Sequence, residues 1–196
     1  MADENGLAEK TTVRIAQKGR GGYTAAVGLP GQEREEFERE RGVFRTFMSA
    51  FCTGVTVITS VDRDGRPHGL TCTSLASVTL TPPTLLVCLN HTSGTLSALN
   101  ESGSFAVNLL HERGQRAAEV FASRAADRFD QVSWKRTDQV GQLWLTEDAF
   151  AVAECVVSRT VPVGDHVVVF GRVVNVEQTA DAPLLYGMRT FSTWPR

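Results

Sequence analysis

The stretch Gly69-Leu70-Thr71-Cys72-Thr73-Ser74-Leu75-Ala76-Ser77-Val78-Thr79-Leu80-Thr81-Pro82-Pro83-Thr84-Leu85-Leu86-Val87-Cys88-Leu89-Asn90 decides how this chain is read. Its first half carries small hydroxyl residues at strand spacing. Pro82-Pro83 then breaks the run, because proline has no N–H to donate to a sheet, and an apolar segment with the character of a buried strand follows. Threonine and serine on a rigid strand pack a core poorly. They line a cavity well, since short side chains leave room for a flat ligand and their hydroxyls both donate and accept.

On the N-terminal side, Val55-Thr56-Val57-Ile58-Thr59-Ser60-Val61 alternates branched residues as a strand does, and Asp62-Arg63-Asp64-Gly65-Arg66 has tight-turn chemistry. A hairpin is expected there, leading through Pro67-His68-Gly69-Leu70 into the hydroxyl-rich stretch. Residues 32–50 place Phe37, Val43, Phe44, Phe47 and Met48 at helical spacing among alternating charges, with Gly54 expected to end the helix in a left-handed conformation. Residues 1–32 mix basic residues and glycines without a hydrophobic period and are expected to form a flexible arm ahead of one domain, 33–196.

On the C-terminal side, a short helix is expected over 95–100, capped by Thr92 or Ser93, with free backbone amides suited to an anion. Ser104–Leu110 reads as a strand and 114–124 as a helix with Ala117, Ala118, Val120 and Phe121 on one face. Residues 150–160 and 166–178 read as long strands joined by a loop over 161–165. Many short strands, a few helices and Gly/Pro turns predict a mainly β chain with helical additions, a small antiparallel barrel.

Composition narrows the function. The chain has 196 residues, 42% of them hydrophobic, and a formal net charge of -2. That supports one sizeable core and offers no overall field for nucleic acid or an anionic membrane, so neither is an expected partner. No window has the apolar length of a membrane span, and Met1-Ala2-Asp3-Glu4-Asn5 lacks the features of a secretory signal, so a cytoplasmic location is expected. Cys52, Cys72, Cys88 and Cys155 form no CxxC pair and read as small buried thiols, with no metal site expected. Neither GxGxxG nor a P-loop is present, so a bound phosphate must rest on hydroxyls, backbone amides and arginines.

Phe44-Arg45 with Met48, Gly54-Val55-Thr56-Val57-Ile58-Thr59, Gly69-Leu70-Thr71, Ser74 with Ser77-Val78, Pro82-Pro83 and Phe105–Leu110 occur in one order with later matches at Phe121, Arg128-Phe129, Glu154-Cys155, Gly164-Asp165-His166, Gly171-Arg172-Val173 and Pro183-Leu184-Leu185-Tyr186. Together they resemble the flavin reductase family, the short-chain NAD(P)H:flavin oxidoreductases that serve two-component monooxygenases. The resemblance covers about residues 43–194 and implies an FMN-binding split β-barrel. It further implies a homodimer that reduces FMN or FAD with NADH or NADPH and hands reduced flavin to a flavin-dependent monooxygenase component. A non-catalytic flavin carrier on the same barrel is the alternative.

The resemblance also implies site residues. Thr53, Gly54, Val55 and Thr56, with Thr71, Cys72, Thr73, Ser74 and Leu75, fall at the isoalloxazine and ribityl region, chiefly through backbone groups. Ser77 and Val78 fall near the flavin phosphate. Asn90, His91 and Ser93 fall at the phosphate or an adenosine half, with Ser123, Arg124, Arg128 and Phe129 closing that side. His166 is implied beside the nicotinamide as the catalytic-site histidine, with Tyr186 and Trp194 on the same side. Leu75 stands where the family commonly carries an aromatic.

Overall fold

The computed structural model describes residues 31–194, in two compact units, 1–50 and 51–196, each taken by itself. The described part of the first is α1 (Gly31–Ser49), stitched by an Arg41–Glu38 ion pair at 3.0 Å and by the Arg41 guanidinium over the Phe37 ring. None of its residues is buried, and Phe44, Phe47 and Met48 are exposed. Apart from Gly31 and Gln32, which open α1, the expected arm lies outside the described residues.

The helix stops at Ser49, with the Ala50 N–H donating to the Phe47 carbonyl at 3.2 Å. Gly54 does not stop it. It lies outside the left-handed region, in β1 (Thr53–Gly54), where an extended backbone is needed to pair with Leu185.

In the second unit the expected hairpin is β2 (Thr56–Val61) with β3 (Pro67–Cys72), closed by Asp62, whose Oδ1 accepts the Asp64 and Arg66 N–H groups. The hydroxyl-rich stretch is not one strand. β3 ends at Cys72, β4 (Ala76–Leu80) begins after three intervening residues, and β5 (Pro83–Asn90) starts at the second proline of the break. Then come α2 (Gly94–Ser102), β6 (Ser104–Leu110), α3 (Gln115–Ala122) and a 3-10 turn at Arg128–Gln131. β7 (Trp134–Arg136) and β8 (Leu143–Leu145) form a small ribbon that sequence patterning did not disclose, since three-residue strands carry no readable period. β9 (Ala149–Val163), β10 (His166–Gln178), β11 (Leu184–Gly187) and β12 (Thr190–Thr193) complete the fold. The loop expected over 161–165 is only the Gly164-Asp165 turn. Pro162 stays in β9 because β6 pairs with β9 no further than Val156, so this half of the strand has β10 on one side only.

Seven strands run in the order β3-β2-β6-β9-β10-β5-β4, and β11 is flanked by β1 and β12 in a second sheet. The sheets are not closed, and the mainly β architecture is that of a split barrel. β2 is buried on both faces, and its buried Thr56, Thr59 and Ser60 hydroxyls each donate to a backbone carbonyl. Ile58 faces a core with Phe105, Val107, Val169 and the α2 residues Leu96 and Leu99, while Val57 faces a second core with Ala118, Phe121, Leu145 and Leu184.

Two buried polar groups fasten the β7–β8 ribbon. The Asn108 amide donates to the Val57 and Leu143 carbonyls, and its oxygen accepts the Leu145 N–H at 2.9 Å. The Glu154 carboxylate, 0% exposed, accepts from the Val140 N–H at 2.7 Å, the Gln139 N–H and the Asn175 amide. Burial raises the Glu154 carboxyl, but these donors and Thr137 outweigh it and hold the group below the ordinary glutamate value of 4.5. Of the four cysteines, Cys72 and Cys155 are buried as expected, and burial pushes the Cys155 thiol up to about 12. Cys52 is exposed in the bend before β1. Cys88 is half-buried, because it faces outward between the inward Val87 and Leu89.

Gly171 permits the closest approach in the core, since a Cβ there would lie 2.4 Å from Phe105 Cζ and 3.0 Å from Cys155 Cβ. Gly171→Ala is expected to destabilise the fold by about 1–3 kcal/mol through overpacking, read as a lower urea midpoint at unchanged slope. Glu154 carries a pH signature. Its folded carboxyl is depressed, so its stabilisation is complete above the unfolded value near 4.5 and is lost as pH falls through the folded one. Glu154→Gln is expected to flatten that part of the acid-unfolding profile while lowering stability at neutral pH.

Candidate functional site

Where β3 leaves the sheet edge, an open cleft of about 970 Å³ runs between β3, the end of β5, the start of α2, the α3 C-terminus and His166 on β10. That is the upper end of ligand-cavity sizes. Gly69 belongs to its wall because no side chain fits there: a Cβ would meet the Phe121 ring at 2.8 Å and Phe129 Cζ at 3.1 Å. Those two rings pack edge to face, 4.9 Å apart, and hold α3 and the 3-10 turn against β3. Arg128 adds a tie, its Nη1 donating to the Gly69 carbonyl at 2.9 Å.

The hydroxyls that line this region divide into two sets. Thr71 donates to the Ala118 carbonyl at 2.5 Å, Thr56 to the Cys72 carbonyl at 2.6 Å and Ser74 to the Cys88 carbonyl at 3.1 Å, so all three serve the fold. Thr73 and Thr95 hydroxyls have no hydrogen-bond partner among the described residues. Thr95 lines the cleft at the first turn of α2 although only 3% of its surface is exposed. Ser93 caps α2 by accepting the Thr95 N–H at 3.2 Å, and Asn90 Oδ1 accepts the Thr92 N–H and hydroxyl. The first turn of α2, Gly94 and Thr95, lines the cleft at the positive end of the helix dipole, with the Thr95 N–H taken by the Ser93 cap.

His166 sits at the rim with Nδ1 2.7 Å from Asp165 Oδ1. The hydrogen bond from His166 holds the Asp165 carboxyl below the ordinary carboxylate range, and an ionised carboxylate only accepts. Nδ1 therefore carries the proton, and Nε2 is left for the cleft. The Asp165 carbonyl in turn accepts the His91 ring at 2.9 Å and the His91 N–H at 3.0 Å, tying the α2 approach to the β9–β10 turn. Every ionisable side chain lining the cleft other than Cys72 and Cys88 is basic: Arg124, Arg128 and His166.

Of the residues singled out from sequence, Thr71, Cys72, Thr73, Ser74, Asn90, Ser93, Ser123, Arg124, Arg128 and His166 come together here. Leu75 packs toward the core, and Phe129 stands behind Gly69. His91 lies beside the rim through Asp165. Ser77 and Val78 are exposed on the edge strand β4, outside the cleft lining. Thr53, Gly54, Val55 and Thr56 run along β1 and β2, with Thr56 opposite Cys72, and Tyr186 pairs with Thr53 in the second sheet. Trp194 is exposed past β12. The lining adds Gly94, Thr95, Cys88 and Phe121, which sequence reasoning missed as site residues. Thr95 was legible in principle, as the second residue after a predicted helix cap.

The family model for the flavin reductase like domain matches residues 48–195. A flavin reductase (NADPH) of Lentzea aerocolonigenes is 59% identical over 150 residues, 76% of this chain and 88% of that protein. The reductase subunit HsaB of a flavin-dependent monooxygenase from Rhodococcus jostii is 40% identical over 73% of this chain and 72% of its own length. Among solved structures, the Streptomyces globisporus NADH:FAD oxidoreductase SgcE6, in complex with NAD and FAD fragments, superposes with a TM-score of 0.75. It is 30% identical and covers 80% of this chain and 94% of that one.

The Arg128 tie is testable without any ligand. Arg128→Ala leaves the buried-side Gly69 carbonyl without its charged donor, a loss expected at about 1–3 kcal/mol. Urea titration measures it, and limited proteolysis is expected to cut first between Ser123 and Asp127, the segment that loses its anchor.

Proposed function

This chain belongs to the flavin reductase family, and from that premise we propose that its cleft is where FMN or FAD is reduced by NADH or NADPH. The reduced flavin goes on to a partner flavin-dependent monooxygenase. The observation that carries the reading is a large cleft whose ionisable side chains, its two thiols apart, are all basic and beside which the Thr73 and Leu75 peptide groups are unpaired among the described residues, in a chain of this family. The flavin, when bound, supplies the two-electron acceptor that no side chain here offers. The residues present fit such a group. The peptide N–H groups of Thr73 and Leu75 suit the edge of the ring where negative charge gathers on reduction, and preorganised donors there cost no rearrangement. Arg124, the positive end of the α2 dipole and the Thr95 hydroxyl suit its phosphate.

His166 is the residue for the nicotinamide. Asp165 holds the imidazole with Nε2 directed to a partner, so the ring orients the carboxamide or ribose of NAD(P)H and leaves proton transfer out of the reaction. No carboxylate lines the cleft, in keeping with chemistry that needs alignment and no general acid.

The reductase unit is residues 33–196, with 1–32 an appended arm; the family match over 48–195 lies within that unit. It works in the cytoplasm as a homodimer. Support for the dimer comes from the outer face of β5, β10 and β9. There the cleft row Asn90–His166–Val163 continues into Cys88–Val168–Val161 and Leu86–Phe170–Arg159, half-buried or exposed residues on one surface that, Arg159 apart, are apolar beyond the cleft row.

NAD(P)H oxidation is expected only when FMN or FAD is added. Tight flavin binding without turnover would instead identify a carrier. His166→Ala is expected to raise KM for NAD(P)H and slow hydride transfer, each by about fivefold to tenfold for one lost hydrogen bond, with flavin affinity unchanged. Rapid-mixing kinetics beside a flavin titration checks this, and an unchanged transfer rate in the folded variant removes the role. Phe170→Asp is expected to sediment as a monomer where the parent is a dimer.

A further inference from the structure

We propose that Ser74 is the positioning residue that keeps the sheet split where the flavin ring lies, by doing with its hydroxyl what a strand does with its backbone. The proposal rests on the reductase reading above. β4 pairs with β5 in a register that sets Ser77 opposite Leu85 and Ala76 opposite Leu86, which carries residue 74 to a place opposite Cys88. A continuing antiparallel ladder would have the peptide of residue 74 exchange both hydrogen bonds with Cys88. Instead the Cys88 N–H donates to Ser74 Oγ at 3.0 Å, and that hydroxyl donates to the Cys88 carbonyl at 3.1 Å. The edge of β5 is satisfied by one side chain.

Two consequences follow from counting donors and acceptors. A serine hydroxyl has one proton and two lone pairs. Its proton goes to the Cys88 carbonyl, so the 3.1 Å contact with Cys72 Sγ takes its proton from the thiol, which the apolar surroundings keep neutral. Ser74 Oγ is thereby saturated and has nothing left for a ligand. The Ser74 N–H turns back to the Cys72 sulfur, whereas the peptide groups of Thr73 and Leu75 make no backbone hydrogen bond among the described residues, and Thr73 lines the cleft. The hydroxyl has displaced the backbone from the ladder and left those donors for the ring. A residue without it at position 74 would leave Cys88 unpaired until the 73–75 backbone moved in to zip the seam, removing the donors from the cleft.

Hydrogen exchange of the ligand-free protein, together with binding of FMN and of lumiflavin, which has the ring and no phosphate chain, tests this. In the parent the Cys88 amide is expected to be protected while those of Thr73 and Leu75 exchange freely. Ser74→Ala should cut Cys88 protection and weaken lumiflavin and FMN by the same factor, about tenfold for one to two hydrogen bonds, with slower hydride transfer at saturating flavin. Ser74→Thr, which keeps the hydroxyl, should restore all three. Unaltered Cys88 exchange in Ser74→Ala overturns the proposal, as does a loss confined to FMN, which would make Ser74 a contact to the phosphate chain. Failure of Ser74→Thr to rescue, in a variant with parental thermal stability, also overturns it. A parent with the expected exchange pattern that binds neither flavin overturns the reductase reading instead.

Discussion

The two edges of the seven-stranded sheet, β3 and β4, are successive in the chain and separated by three residues. Four Cα steps from Cys72 to Ala76 reach at most about 13–14 Å. A flat sheet of seven strands cannot satisfy that, because its edges would stand apart by about six inter-strand spacings of nearly 5 Å. The sheet must curl until its edges almost meet. Curling encloses Ile58, Phe105 and Val169 as one core, caps it with Leu96 and Leu99 of α2, and leaves a seam at 73–75. The cleft is that seam, and Gly69 in its wall lets the Phe121 and Phe129 rings pack directly behind β3.

Curvature of this kind is held by close contacts and by polar staples, and the two differ in what they cost when lost. Phe105 fits only because Gly171 is bare, so its neighbourhood tolerates no added methyl. Asn108 and Glu154 are buried where a polar group is tolerated only when fully partnered, and both are. They fix a ribbon, β7–β8, that has no apolar period of its own. The Trp144 indole N–H is the one buried side-chain donor without a partner among the described residues, and the structure offers no physical account of it.

The site asks little of acid–base chemistry and much of geometry. Its titratable groups near the rim, Asp165 and His166, are paired with each other, so the carboxylate orients the ring. The free donors are backbone amides, the Thr73 and Thr95 hydroxyls and the Arg124 guanidinium. An open cleft with such donors, exposed to solvent along its length, suits a ligand that enters and leaves more than one permanently enclosed.

Most secondary structure was legible because it obeys local rules: the β2–β3 hairpin through Asp62–Arg66, α2 through its Ser93 cap, β6, α3 and the long β9–β10 pair. The family likeness was legible too, since it rests on ordered residues and needs no geometry. Local chemistry misjudged Gly54 and the 161–165 loop, where the presence or absence of a partner strand decides whether a glycine turns or a proline extends. It was silent on β7–β8, held by two buried side chains distant in sequence. For the site, the sequence by itself determined that hydroxyls, small residues and a histidine after a tight turn would be available. Only the tertiary structure decided which of those hydroxyls are consumed by the fold. Thr56, Thr71 and Ser74 meet carbonyls 16, 47 and 14 residues away, while Thr73 and Thr95 meet none. A hydroxyl's partner is set by which strands pack beside it, and that is a property of the curled sheet that no local pattern carries.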